Sequence, residues 1–277
     1  MKLLQWNIQW CRGMDGKVDP ARIARESKAL CDPDVCCFQE VAINFDSLEG
    51  SFGEDQPELL KASFNGYSAH FGAVVDVPDD SGKTAGGRRQ FGNLILSRLP
   101  VRQVFRHTLP WPPEDKVPSM PRVALEAVIE APWGLVSVLS THLEFFSAKQ
   151  RAAQVARLLE LQNERAAHTV SKPGYKSGPF EPMQRPAASI LCGDFNMRAE
   201  DPSAAKLRET WLDAWGVAHP GQPHPPTFCL FDDTYEKEPY CCDFVFVTAD
   251  LAPRVAAVKV DLETQASDHQ PVIVTFT

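Results

Sequence analysis

Apolar residues in this chain fall in short runs of strand length, most of them closed by glycine, proline or a charged residue, with fewer stretches of helical periodicity between them. Lys2–Ile8 reads as a first strand. Asp19-Pro20 then supplies an N-cap and a first-turn proline for a helix through Ile23 and Leu30. Val35–Phe38 reads as a short buried strand ending at Gln39-Glu40, followed by a polar loop over Asn44–Gln56, a short helix over Pro57–Phe64 and a strand over Tyr67–Val77. Asp79–Gln90 is polar and glycine-containing, which predicts a flexible loop. Phe91–Ser97 and Val101–Thr108 follow as strands, and Arg122–Glu130 and Leu135–Thr141 form an antiparallel hairpin across Pro132-Trp133-Gly134. The clearest helix signal is Ser147–Val170, where Ser147 and Gln150 fit a capping box and Ala152, Val155, Leu158, Leu159 and Gln162 trace one face. After the Pro- and Gly-rich Ser171–Pro186 come a strand in SILCGDFN, a short helix from Asp201-Pro202, and strands at Thr227–Leu230, Cys242–Val247 and Pro271–Phe276. Hairpins mixed with strand-helix-strand units predict a layered α/β protein with mixed sheets. With no repeat and no long polar linker, residues 1–277 are expected to form a single domain.

The way these runs end carries the chemistry. SILCGDFNM, residues 189–197, breaks at Gly193, which frees the backbone to turn, into Asp194 and Asn196. A lone GDxN is ordinary turn chemistry. Yet Asn7, Glu40, His142 and the Asp268-His269 pair punctuate four other apolar runs, so five strand ends can converge on one rim. Glu40, Asp194 and Asp268 are hard oxygen donors suited to magnesium or manganese, and Asn7 and Asn196 add amide oxygens or hydrogen bonds. A carboxylate can orient His269 and stabilise its protonated form, and Asp243, the only acid in CCDFVFV, is a candidate because an unpaired buried carboxylate is costly. Arg122 could clamp an oxyanion. Taken singly, Asn7 reads as a strand-end hydrogen-bonder, Glu40 as a cap and Arg122 as a surface ion pair. His70, His107, His168, His219 and His224 read as surface or loop residues. Gly86-Gly87 and Arg88-Arg89 give the first polar loop phosphate-binding capacity without the P-loop pattern, and with Trp111, Tyr175 and Phe228 could select a substrate.

Charge narrows the field. The 36 acidic and 28 basic residues leave a net charge of −8, so no domain-wide basic field draws in nucleic acid. Eight cysteines lie without any CxxC, five of them inside or beside apolar runs, which argues for reduced, buried side chains in place of disulfides or zinc. No run approaches the ~18 apolar residues of a membrane span, and the first residues lack the apolar core of a signal peptide. A cytoplasmic location is the expectation.

Together the motifs Trp6-Asn7, Gln39-Glu40, THLE at Thr141–Glu144, GDFN at Gly193–Asn196 and SDH at Ser267–His269 resemble the endonuclease/exonuclease/phosphatase superfamily across the whole chain. The resemblance implies a four-layered α/β sandwich with two packed mixed β-sheets flanked by helices, and a magnesium- or manganese-dependent hydrolase. It implies Glu40 as principal metal ligand with Asn7 and Asp268 near the ion, and Asp194 orienting the attacking water with help from Asn196. It further implies that His142, Arg122 and His269, the last oriented by Asp243, contact the phosphate. Cys241-Cys242 stand before Asp243 where the family usually has a basic and an aliphatic residue, while Phe244 after it keeps the usual aromatic. The expected substrate is a small phosphodiester or a nucleic-acid end, with duplex endonuclease action or an inactive binding scaffold as rivals. Local likeness runs to tyrosyl-DNA phosphodiesterases, through THLE before a long polar helix and a Trp-rich segment after GDFN, with Phe145-Phe146 departing from their usual polar continuation.

Overall fold

The computed structural model describes residues 1–79 and 87–277. The chain forms β1 (Lys2–Asn7), α1 (Pro20–Cys31), β2 (Val35–Ile43), α2 (Gln56–Ser63), β3 (Ser68–Pro78), β4 (Arg88–Ser97), β5 (Val101–Thr108), β6 (Val123–Ala131), β7 (Gly134–His142) and α3 (Ala148–Val170). It continues with β8 (Ser189–Asp194), α4 (Pro202–Arg208), β9 (Leu212–Asp213), α5 (Ala214–Ala218), β10 (Asp243–Val247), β11 (Val255–Val260) and β12 (Val272–Phe276).

Two six-stranded sheets result, ordered β11-β12-β1-β2-β4-β3 and β5-β6-β7-β8-β10-β9. Each is antiparallel except for one central parallel pair, β1 with β2 and β7 with β8. The two-residue period of a strand sends alternate side chains to opposite faces, and VCCF shows it: Cys37 joins the core between the sheets while Cys36 and Phe38 pack outward. The inner layer joins Leu3, Val35, Cys37 and Ile95 of the first sheet to Leu125, Val138, Ile190 and Val245 of the second. Outside, Ile23 of α1 and Leu60 of α2 cover the first sheet. Val155, Leu158 and Leu161 of α3, with Leu207 of α4, cover the second. The protein is therefore a four-layered α/β sandwich, as the family resemblance implies, with the mixed sheets that the strand and helix pattern predicts.

Several local expectations are corrected. The second strand runs past Phe38 to Ile43, because a bulge between Phe38 and Val41 absorbs Gln39 and Glu40 and pairing with β4 resumes beyond it. β4 starts at Arg88, so the last three residues of the expected Asp79–Gln90 loop are strand, and 80–86 lie outside the described residues. Arg88 is spent on Asp76 at 2.7 Å and Arg89 lies over the Phe45 ring, so neither is an uncommitted phosphate ligand. Thr227–Leu230 is not a strand. Phe228 makes only isolated bridges, to Tyr240 and His269. The edge strand β11 and the short helix α5 went unseen, the first because VAAVKV is half exposed and lacks a sharp apolar alternation. Half of the capping box forms: Ser147 Oγ accepts from the Gln150 N–H at 3.0 Å, while the Gln150 side chain donates to Pro112 O and ties down the proline-rich loop. All eight cysteines are free, and seven are buried. Among the described residues no helix is long and apolar enough to cross a membrane.

Candidate active site

The two parallel pairs bring the punctuated strand ends together. In the register of β1 with β2, Asn7 lies opposite Gln39 beside Glu40; in that of β7 with β8, His142 lies opposite Asp194. β10 begins at Asp243, directly across from Asp194. β12 runs antiparallel to β1, so the segment that enters it, with Asp268 and His269, arrives at the same rim. Asn7, Glu40, Arg122, His142, Asp194, Asn196, Asp243, Asp268 and His269 meet there with Phe228, whereas Arg88, Arg89, Trp111 and Tyr175 do not line the cavity over the rim.

Backbone geometry aims these groups. Glu40 sits on the bulge with φ +58°, Asn196 turns at φ +50°, and Gln9 and Trp10 follow β1 at +43° and +41°. Such left-handed conformations at non-glycine residues are stored strain that clusters where side chains must be re-aimed. Gly193 has a different task from freeing a turn: a Cβ there would lie 1.9 Å from Thr141 O, so the glycine permits close approach of β7.

The polar groups form one network. The Asn7 amide nitrogen donates to Glu40 Oε1 at 3.1 Å and Asp194 Oδ2 at 3.0 Å, while its oxygen accepts from the Gln9 N–H. Asn7 is thus oriented as a donor bridging two carboxylates. Asp194 Oδ2 lies 3.5 Å from His142 Nε2 and 3.6 Å from His269 Nε2. His269 Nδ1 lies 2.9 Å from Asp243 Oδ2, so the aspartate fixes the ring and leaves Nε2 facing Asp194. Asp243 is buried and held from behind: Thr227 Oγ1 accepts from the N–H groups of both Cys242 and Asp243. Asn196 donates to Leu143 O and its N–H binds Asp194 Oδ1, locking that carboxylate's orientation. Arg122 is buried, in contrast to a surface pair. Its Nε and one Nη contact Glu144 at 3.3 Å, and its Nη1 has no partner.

Electrostatics separate the two histidines. Burial opposes charge on His269, but the carboxylates of Asp243 and Asp194 outweigh it and raise its pKa well above the ordinary range. Burial and the nearby Arg122 push His142 down to about 3, leaving a neutral imidazole. Burial, reinforced by Asp268, lifts Glu40 to about 7, and burial also raises Asp268.

These crowded oxygens suit a hard cation. Glu40 and Asp268 face the cavity with Asp194 behind them. Asp194, Cys242 and His269 also come within 4.8 Å of one another. That trio does not make a soft thiolate site, because His269 Nδ1 is engaged by Asp243 and burial keeps the Cys242 thiol protonated. The cavity over the rim holds about 250 Å³. A larger hollow of about 460 Å³ beside Arg22 and Asp261 contains none of this chemistry.

The sequence pattern did not reveal the supports. Gln5 donates to Gln39 and to Asp243 Oδ1, Gln39 donates to Ser140 Oγ, and Trp6 Nε1 donates to the His269 carbonyl. Gln9 donates to Asp268 Oδ2 at 2.7 Å. Their signal was a lone polar residue inside an apolar run. His107 and His224 are corrected too: His107 Nε2 lies 2.7 Å from the buried Glu126, and His224 Nε2 lies 3.0 Å from Asp213, out of hydrogen-bond alignment.

The model of the Endonuclease/Exonuclease/phosphatase family matches residues 4–269. The chain belongs to this family. No curated protein matches it. Among solved structures it is similar to the endonuclease/exonuclease/phosphatase from Beutenbergia cavernae, at 27% identity and TM-score 0.69, over 99% of this chain and 70% of that one. It shares its fold with truncated TDP2 from Caenorhabditis elegans, at 17% identity and TM-score 0.65 over 99% and 96% of the two chains. The human Nocturnin catalytic domain with bound sulfate is another fold relative, at 19% identity and TM-score 0.63 over 100% and 93%. Proteins of this family are typically metal-dependent phosphoesterases and nucleases.

Proposed function

We propose that the protein is a magnesium- or manganese-dependent phosphodiester hydrolase in which water attacks phosphorus directly. The observation that carries the reading is His269 held between Asp243 and Asp194 at the floor of a cavity also lined by Arg122, whose buried Nη1 has no partner. A buried guanidinium nitrogen with no acceptor is a donor kept for a ligand oxygen. Glu40 and Asp268, with Asn7 fixing Glu40, are the residues that would hold the cation. When bound, the cation supplies charge neutralisation on the phosphate and at the departing oxygen. Asp194, oriented by Asn196 and Asn7, positions the attacking water and accepts its proton. His269, kept cationic by Asp243, and neutral His142 donate to the nonbridging oxygens as charge builds there. Among the described residues no serine or cysteine lines the cavity, and Cys242, which lies behind it beside Asp243, is kept protonated by burial.

The substrate we infer is a small phosphodiester, a nucleotide or a nucleic-acid end in preference to continuous duplex, since the net charge is −8. Hydrolysis of bis(p-nitrophenyl) phosphate should require magnesium or manganese and stop with EDTA. Turnover that survives chelation would overturn the metal assignment. Rapid internal nicking of supercoiled plasmid without turnover of small esters would favour an endonuclease, and no turnover of any ester would favour the scaffold.

A further inference from the structure

Above the charged floor stands an aromatic wall. Phe228 stacks on His269 with centroids 4.4 Å apart, Tyr235 packs on Phe228 and on Phe145 at 5.9 Å, and Phe145 meets Phe146 edge-to-face at 4.8 Å. Four rings thus form a continuous arch from the histidine to the protein surface. Tyr235 and Phe146 are 58% and 57% exposed although they line a cavity. Solvated aromatic surface of this kind marks a binding face. The cations complete the picture. Arg122 is the sole Arg or Lys lining the cavity among the described residues, and it already contacts Glu144. Among the described residues lining the cavity no further cation stands ready for a second phosphate.

We propose that this arch seats a flat, largely apolar group attached next to the scissile phosphate, an aryl ring or a nucleobase, and that Tyr235 and Phe145 determine this specificity. A charged floor fixes the phosphate and the rings take its flat neighbour, since base–aromatic stacking tolerates any π-face. The inference rests on the phosphodiester hydrolase reading and names its substrate class.

The test separates the two ideas by measuring binding apart from turnover. Phenylphosphonate, thymidine 5′-monophosphate and methylphosphonate are titrated calorimetrically into the full chain with magnesium. At least one ring-bearing ligand should bind about tenfold tighter than methylphosphonate, a factor of ordinary size for one stacked ring. Whichever of the two binds tighter assigns the ring as aryl or base. Tyr235→Ala and Phe145→Ala should each remove most of that preference, and Tyr235→Phe should keep it. Phe52→Ala, an exposed aromatic outside the cavity, is the control and should change nothing. Tyr235 is exposed, so its replacement does not threaten folding. Equal affinity for all three ligands, or an unchanged preference in both alanine variants, overturns the proposal. Loss of turnover with the ring preference intact would instead count against the hydrolase reading alone.

Discussion

Removing the charge of Glu126 should cost this protein stability in one specific pH window. Glu126 of β6 is fully buried; it lies 2.7 Å from His107 Nε2 and 3.3 Å and 3.5 Å from Arg165 and Arg185, and accepts from Ser137 Oγ at 2.8 Å. Burial alone would raise its pKa, but His107, Arg165, Ser137 and Arg185 together bring it from the ordinary 4.5 down to about 2. At ~1.4 kcal/mol per pH unit this corresponds to on the order of 3 kcal/mol. Because the folded value is the depressed one, the contribution is fully present above about pH 4.5 and is lost as pH falls toward 2. Glu126→Gln keeps the shape yet leaves the fully buried Arg165 facing a neutral amide. Urea denaturation should find the variant less stable by on the order of 3 kcal/mol at pH 7, with the gap closing between pH 4.5 and 2. A gap of the same size at pH 7 and pH 2.5 would refute the reasoning, since it would then come from packing and not from charge.

Gly193→Ala places a methyl against the Thr141 carbonyl at the centre of the second sheet, and should lower stability by more than ~3 kcal/mol or prevent folding, as thermal melts would reveal. Asp243→Asn should leave the fold intact and reduce kcat by about 10²–10⁴, since His269 loses the partner that keeps it cationic and oriented; a change confined to KM would contradict that role. Glu40→Gln should raise the magnesium concentration needed for half-maximal rate by at least about tenfold, read from metal titrations of turnover.

What the sequence made legible, and what it hid, divides along physical lines. Strand-length runs broken by an acid, amide or histidine exposed the rim, because a hard polar group at the end of a buried strand must find a partner or a ligand there. His269 shows itself at a strand end, and its partner Asp243 by the cost of burying a lone carboxylate. Gln5, Gln39, Thr227 and Glu144 were invisible in their roles because each works through a residue distant in sequence and an isolated polar side chain in an apolar run names no partner. The bulge at Glu40 was unreadable, since its signature is a register shift against β4 and not a residue type. The His107–Glu126 contact escaped for a related reason: both residues sit on facing strands whose pairing, Phe105 opposite Glu126, only the fold defines.

The place of β1 in the first sheet governs when this site comes into being. β1 supplies Asn7 and is flanked on one side by β12, whose partner residues are Val272–Thr275. On a ribosome the first strand of the fold therefore waits for the last, and Asp268 and His269 emerge only just ahead of it. A partly made chain can build hairpins and the α3 layer, yet it has no assembled rim. The rim proposed to bind and hydrolyse the phosphodiester is thereby incomplete until β12 has been made, and a chain released before that point lacks it by topology.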